Sequence, residues 1–117
     1  MIILLLMPLK GLCTITKIVS EKTTHKQNGV VTRTHSDHIV FWVDTDKMII
    51  TIIGYDEPFK FRIAEIVPKP NSHMVSYNCL SEVDNKLSIG VDLDNDVVYM
   101  SLKTDELLVY KISEITQ

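Results

Sequence analysis

What the chain is short of bounds it first. Cys13 and Cys79 are its two cysteines among 117 residues, which excludes the disulfide framework that small secreted domains use when their cores are too small. Glycine and proline number four each, so collagen-like and low-complexity readings fall away. No apolar run reaches the about 18 residues that a membrane-spanning helix requires. No block of one charge exists either. The 12 basic and 15 acidic side chains are interspersed for a net charge of −3, a balance that argues against nucleic acid, which selects a basic patch. Apolar residues at helical spacing are lacking over any useful length. What is left is an ordinary globular composition, 45% hydrophobic and 23% charged, in a chain long enough for one domain that buries roughly two thirds of its unfolded surface.

The first residues stand apart. Ile2-Ile3-Leu4-Leu5-Leu6-Met7, followed by Pro8 and Leu9, has the length and character of the h-region of an export signal. Gly11 and Cys13 place small residues at the −3 and −1 positions of a cleavage site, with Thr14 as the first mature residue. Residues 1–13 are therefore expected to be an export leader and 14–117 a single exported domain, periplasmic or extracellular. The structural alternative is a buried first strand.

From Ile39 onward, stretches of about seven residues of alternating character are separated by short polar turns, the signature of a β-meander. Strands are expected at about 38–44, 48–53, 58–66, 74–80, 86–93, 97–103 and 107–112. The turns set a register. Asp94-Asn95 as a two-residue turn pairs Val91 with Val98 and Ile89 with Met100; the loop Ser81–Asn85 pairs Cys79 with Leu87 and Tyr77 with Ile89. Gly54–Glu57 pairs Ile52 with Phe59 and Ile50 with Phe61. Thr45-Asp46 sets Val43 against Met48, and Thr104–Glu106 sets Leu102 against Leu108. All five hairpins gather their large apolar residues, Phe59 included, on one face, and such agreement specifies a fold. Each of those side chains left in water would forgo roughly 1.5–3 kcal/mol, and there is no helix to cover them. The expectation is an all-β, antiparallel up-and-down meander of seven to nine strands closing into a small barrel or a strongly curved sheet. A two-layer β-sandwich with its break at Pro68–His73 is the alternative.

Asn28-Gly29 is the strongest short hairpin signal in the chain. Its arms are poor in large apolar residues, so this hairpin is expected to project beyond the core or to lie along an edge, anchored by Ile15, Ile18 and Val19. Asp92-Leu93-Asp94-Asn95-Asp96 starts like a calcium loop, but Val97 stands where glycine is needed and Lys103 where the bidentate glutamate belongs. His25, His35, Asp37 and His38 invite a metal, yet a regular hairpin through Asn28-Gly29 sets His25 opposite Thr32 and puts His25 and His35 on opposite faces. No metal site is therefore expected. No nucleophile motif or phosphate loop is present, Cys79 points into the expected core, and no cofactor or enzymatic activity is implied. On the outward face, Trp42 is expected opposite Ile49, with Val40 and Ile53 beside them. An apolar cluster there asks for a cover: the N-terminal strand lying across it, or a partner.

The stretch from Phe41 to Ile112, running through Trp42-Val43-Asp44-Thr45-Asp46-Lys47-Met48-Ile49-Ile50-Thr51-Ile52 and Phe59-Lys60-Phe61 to Leu107-Leu108-Val109-Tyr110-Lys111-Ile112, resembles small exported proteins of Gram-negative gut bacteria, and in architecture a reduced lipocalin or calycin-type barrel. Val40-Phe41 precede Trp42 where lipocalins carry Gly-x-Trp, and the resemblance carries over no site residues. The functional expectation is a non-enzymatic exported interaction module that contacts another protein, or a second copy of itself, through Val40, Trp42, Ile49, Ile53 and the Asn28-Gly29 hairpin. A barrel-type protease inhibitor would be one member of that class. The alternative is a carrier of a small apolar ligand inside the barrel.

Overall fold

A computed structural model describes residues 15–103 and 105–116, with the backbone alone at 102 and 103. The expected leader and its cleavage site lie outside the described residues. Nine strands follow one another: β1 (Ile15–Gln27), β2 (Val30–His35), β3 (Ile39–Asp44), β4 (Ile49–Ile53), β5 (Phe59–Pro68), β6 (Met74–Leu80), β7 (Lys86–Asp92), β8 (Val97–Lys103) and β9 (Glu106–Thr116). Among the described residues there is no helix.

Every pairing is antiparallel, in the order β2-β1-β3-β4-β5-β6-β7-β8-β9, and β1 also pairs with β9. That last pairing closes eight strands into a barrel and leaves β2 as an extra strand. β1 does both jobs because it is long: Ile15–Ser20 run beside β3, Thr23–Gln27 run beside β2 on the same edge, and β9 follows the other edge throughout. Register shifts around Ser20 bend β1 where it leaves the barrel wall. The sandwich alternative is replaced by closure, because β5 and β6 pair continuously on either side of the Pro68–His73 turn, from Pro68 with Val75 to Arg62 with Leu80.

The interior is the alternate side chains of all eight strands. Ile18, Ile39, Phe41, Ile50, Ile52, Val75, Tyr77, Ile89, Val91, Val98 and Tyr110 are fully buried, and Phe41 meets Tyr110 edge to face at 4.9 Å between ring centroids. Met48, Phe61, Leu87, Leu108 and Ile112, partly buried, pack against them, joined by Ile66, Leu93 and Ile115. Ile66 turns inward because the bulge between Ile63 and Glu65 resets the alternation of β5. Phe59 departs from expectation. It points to the inner side but begins β5 at the rim, so 49% of it stays in water, where it stacks on Phe61 and touches the ring of Tyr55.

Turn chemistry explains which registers hold. The Ser81–Asn85 and Gly54–Glu57 loops give the expected pairs, Cys79 with Leu87 and Ile52 with Phe59. Gly54 has φ 141°, and a Cβ there would lie 2.5 Å from the His38 carbonyl oxygen, so only glycine lets the chain pass that close. Two other turns are built differently from expectation. After Asp44 the loop is four residues, Thr45–Met48, and pairs Val43 with Ile50 rather than Met48. A two-residue turn would force the β-branched Thr45 to positive φ; instead Met48 takes it, at 56°. Asp92 opens a matching loop, Leu93–Asp96, with Asp96 at φ 55°, although there the pairing of Val91 with Val98 stands. In both loops the opening aspartate caps the turn: Asp44 Oδ1 accepts the N–H groups of Asp46 and Lys47, and Asp92 Oδ1 those of Asp94 and Asn95. At the last hairpin Lys103 pairs with Glu106 and a one-residue bulge follows between Ser101 and Lys103, so Met100 faces Leu108 and Val98 faces Tyr110, two residues from the expected register. Shifts of two keep every side chain on its face, which is why the core survives them.

Candidate functional site

Two surfaces carry the residues singled out by the sequence, and they are separate. The first is the outward face of β1, β3, β4 and β5. Lys17 pairs with Trp42, Trp42 with Thr51, and Thr51 with Lys60, which makes one row across four strands. The next row runs Ile15, Asp44, Ile49, Arg62. Trp42 therefore stands opposite Thr51, not opposite Ile49, because the four-residue loop moved the β3–β4 register; Ile49 is its diagonal neighbour, still within reach of a large ring. The Lys17 ammonium sits 5.6 Å from the centre of the indole, a cation–π contact on the exposed side of the barrel. Ile15, Trp42, Asp44, Lys47, Ile49 and Lys60 line a shallow groove, which continues past Lys47, Ile49 and Lys60 toward Arg62 and Leu80.

Trp42 is 37% exposed and Ile53 42%, whereas Val40 is buried at 9%. Val40 sits between Val19 of β1 and Ile53 of β4, so of the expected cluster it has no surface to offer. β1 does not lie across this face as the expected cover; it lies alongside β3 as the next strand. Lys17 was missed by sequence reading because its place beside Trp42 depends on the β1–β3 pairing, for which no turn gives a register, and Lys60 because it enters the row of Trp42 only through the two-residue shift of β3 against β4.

The second surface is the overhanging ribbon of β1 and β2. Asn28 and Gly29 form its tip, both at positive φ (53° and 79°), as the tight turn requires. Gln27 pairs with Val30 and Lys26 with Val31, and the Asn28 N–H donates to the Asp105 carbonyl. The tip begins eleven residues along the chain from Lys17, about 36 Å if extended, so Asn28-Gly29 and Trp42 do not share a surface. The side chains of β2 from Val30 to Thr34 are exposed, with Val30 at 64%, in keeping with the expected projection beyond the core.

One expectation on this ribbon is reversed. A bulge between His25 and Lys26 makes His25 face Arg33 instead of Thr32. That single inserted residue brings His25 and His35 to the same side. Their rings meet edge to edge, with centroids 5.0 Å and Nε2 atoms 2.8 Å apart. Asp37 holds the Nδ1 side of His35, while His38 pairs separately with Glu21 at 2.6 Å. Partial burial, then the Arg33 guanidinium and His35, keep His25 below the usual imidazole range.

The remaining candidates are structural. Asp92 is occupied in capping its turn, with a further bond from Asn95 Nδ2 at 2.8 Å, and Asp94 bonds the backbone and ring of His73. Cys79 is 2% exposed, and burial pushes its thiol up to about 11, so it is inert as a nucleophile. Among the described residues no helix is long and apolar enough to cross a membrane. No protein-family model matches the chain, and no curated protein matches it.

Proposed function

We propose that the protein is an exported, non-enzymatic protein-interaction module, and that its contact face is the groove on β1, β3, β4 and β5 centred on Trp42. The observation that carries this reading is Trp42 itself, the only tryptophan in the sequence, held in the open between Lys17 and Lys60 in a cross-strand row. Tryptophan flanked by aliphatic and cationic side chains is the composition of an interface centre. Lys17, Lys47 and Lys60 stand around Trp42 with the carboxylate of Asp44, while farther along the groove Arg62 is paired with Asp84 at 3.4 Å and Glu82 also lines it, on a chain whose overall charge is −3. The partner that fits is an extended segment bearing carboxylates beside apolar residues. A carrier of an apolar ligand would need room inside the barrel, where Phe41, Tyr77 and Tyr110 are packed.

The lone tryptophan provides the assay. Titration with synthetic peptides that alternate glutamate and leucine is expected to shift Trp42 emission saturably, and Lys60→Glu is expected to weaken the binding. The same peptides with lysine for glutamate should leave the spectrum unchanged. A partner recovered from the native host should be lost with Trp42→Ala and kept with Lys111→Glu, on β9 away from the groove. Emission indifferent to the acidic peptides, together with a recovered partner indifferent to Trp42→Ala, would overturn the assignment.

A further inference from the structure

We infer that His25 and His35 form a binding site for a divalent transition cation of the zinc, nickel and copper group, on the overhanging ribbon and distinct from the Trp42 face. The two imidazoles come from neighbouring strands, and their Nε2 atoms converge to 2.8 Å. Two neutral imidazoles can approach in this way only when one presents a proton and the other a lone pair. Asp37 determines which is which. Its carboxylate accepts from His35 Nδ1, which fixes the tautomer of His35 and leaves the Nε2 lone pair directed at His25. A carboxylate on the far nitrogen of a ligating histidine is the usual support of an imidazole–metal bond, because it orients the ring and raises its basicity.

A cation replaces the one proton that now lies between the two rings. His25 then carries its proton on Nδ1, and both Nε2 lone pairs meet the metal. At metal–nitrogen distances of about 2.0–2.1 Å and tetrahedral angles, the two nitrogens must stand about 3.3 Å apart, so the rings need to part by about half an ångström. The ribbon can supply that movement, since β2 is the extra strand outside the barrel wall and its side chains from Val30 to Thr34 are exposed. No group of three His, Cys, Asp or Glu side chains able to hold a metal occurs among the described residues. The site therefore contributes two nitrogen ligands, and water or a partner's side chain completes the coordination. Imidazole-only ligation selects zinc, nickel and copper over magnesium and calcium, which require oxygen. Arg33, paired with His25 across the bulge, lowers affinity for any cation and makes this a moderate site that a partner's carboxylate would strengthen.

The test is calorimetric titration of the untagged full chain with zinc ion near neutral pH, with imidazole proton NMR as the second readout. One equivalent is expected to bind, shifting the ring protons of His25 and His35 and sparing those of His73. His25→Ala and His35→Ala should each abolish saturable binding, and Asp37→Asn should weaken it roughly 10–100-fold while both imidazoles remain. His73→Ala removes a histidine from the opposite part of the sequence and should change nothing. Magnesium should give no heat. The inference is overturned if zinc produces no saturable event, which leaves an internal imidazole hydrogen bond only, or if binding survives His25→Ala. The exposed ribbon lies outside the core, and circular dichroism of each variant confirms that the barrel is intact.

Discussion

The phenol of Tyr77 offers a decisive check on the packing argument. Its ring is fully buried, and its oxygen meets no hydrogen-bond partner among the described residues. Burial, and after it the neighbouring Cys79, drive its pKa far above the usual tyrosine value. A hydroxyl taken from water and left unpaired costs about 1–3 kcal/mol. Replacing it with hydrogen in Tyr77→Phe leaves a void of about 10 Å³, which costs only about 0.2 kcal/mol at the usual cavity rate of about 24 cal/mol per Å³. The desolvation term wins, and Tyr77→Phe should stabilise the barrel by about 1–2 kcal/mol. At about 2.1 cal/mol/K per residue of unfolding entropy, about 100 ordered residues give about 5 °C per kcal/mol, so the melting temperature should rise by about 5–10 °C. Tyr110→Phe is the matched control of opposite sign. Tyr110 is equally buried, but its hydroxyl shares a hydrogen bond with Tyr55 at 2.9 Å, and losing that bond should cost about 1 kcal/mol. Urea denaturation of both variants, with unchanged slopes, reads the two values directly. If Tyr77→Phe is destabilised as much as Tyr110→Phe, the Tyr77 oxygen is bonded after all, and the claim of a dry interior at that depth fails.

Three further outcomes follow from the same structure. Gly29→Ala and Gly54→Ala both place a side chain at positive φ, but the first Cβ meets open space and the second meets the His38 carbonyl at 2.5 Å; Gly29→Ala should cost about 1 kcal/mol and Gly54→Ala at least twice that, and equal melting temperatures would contradict the close approach at Gly54. Asp94 is held below its ordinary pKa of 3.8 by the His73 backbone N–H and then by the His73 side chain. A carboxyl with a lowered folded pKa stabilises above its unfolded value and loses that contribution as pH falls through the folded one. Wild type should thus lose stability more steeply than Asp94→Asn below about pH 4, and parallel curves would remove the proposed bond. Cys79, in a chain carrying Cys13→Ala, should react with a thiol reagent only through opened molecules, so its labelling rate should follow the unfolded fraction across a urea series; labelling that ignores urea would mean that the thiol is reached in the native barrel.

How much could be read from the chain depended on where register information is local. The hairpins at Gly54–Glu57 and Ser81–Asn85 were legible because their loops fix the pairing by themselves. Around Asp44 and Ser101 the register differs by two residues, yet Val43, Met100 and Tyr110 still point inward, since alternation tolerates even shifts and forbids odd ones. Closure was different in kind. No turn links β1 to β9, and the pairing of Ile18 with Ile115 or Thr23 with Tyr110 joins residues from opposite ends of the chain, a contact that only the demand to cover the last edge can specify. The His25–His35 approach was hidden for a sharper reason. One bulge residue is an odd shift, and it exchanges the faces of everything beyond it. The Asn28-Gly29 turn is the same with or without that bulge, so nothing in the turn could reveal it.

The placement of both proposed sites outside the core has a consequence for how the protein can change. Trp42 and Lys60 stand on the outer wall, and His25, His35 and Asp37 belong to the ribbon and the link into β3; none of them is among the fully buried side chains that fill the barrel. Surface substitutions away from caps and buried networks usually move stability by no more than about 0.5 kcal/mol. His25→Ala should therefore leave the melting temperature within about 3 °C of wild type, and Trp42→Ala should lower it further because the ring is only 37% exposed, while each removes the binding assigned to its own site and spares the other's. The double variant should show additive losses, because Lys17 beside Trp42 and the ribbon tip are eleven residues apart along the chain, beyond the range at which substitutions couple. A zinc titration altered by Trp42→Ala, or an acidic-peptide titration altered by His25→Ala, would mean that the two surfaces communicate through β1. The bend at Ser20 would then be a hinge and not a fixed corner of the barrel.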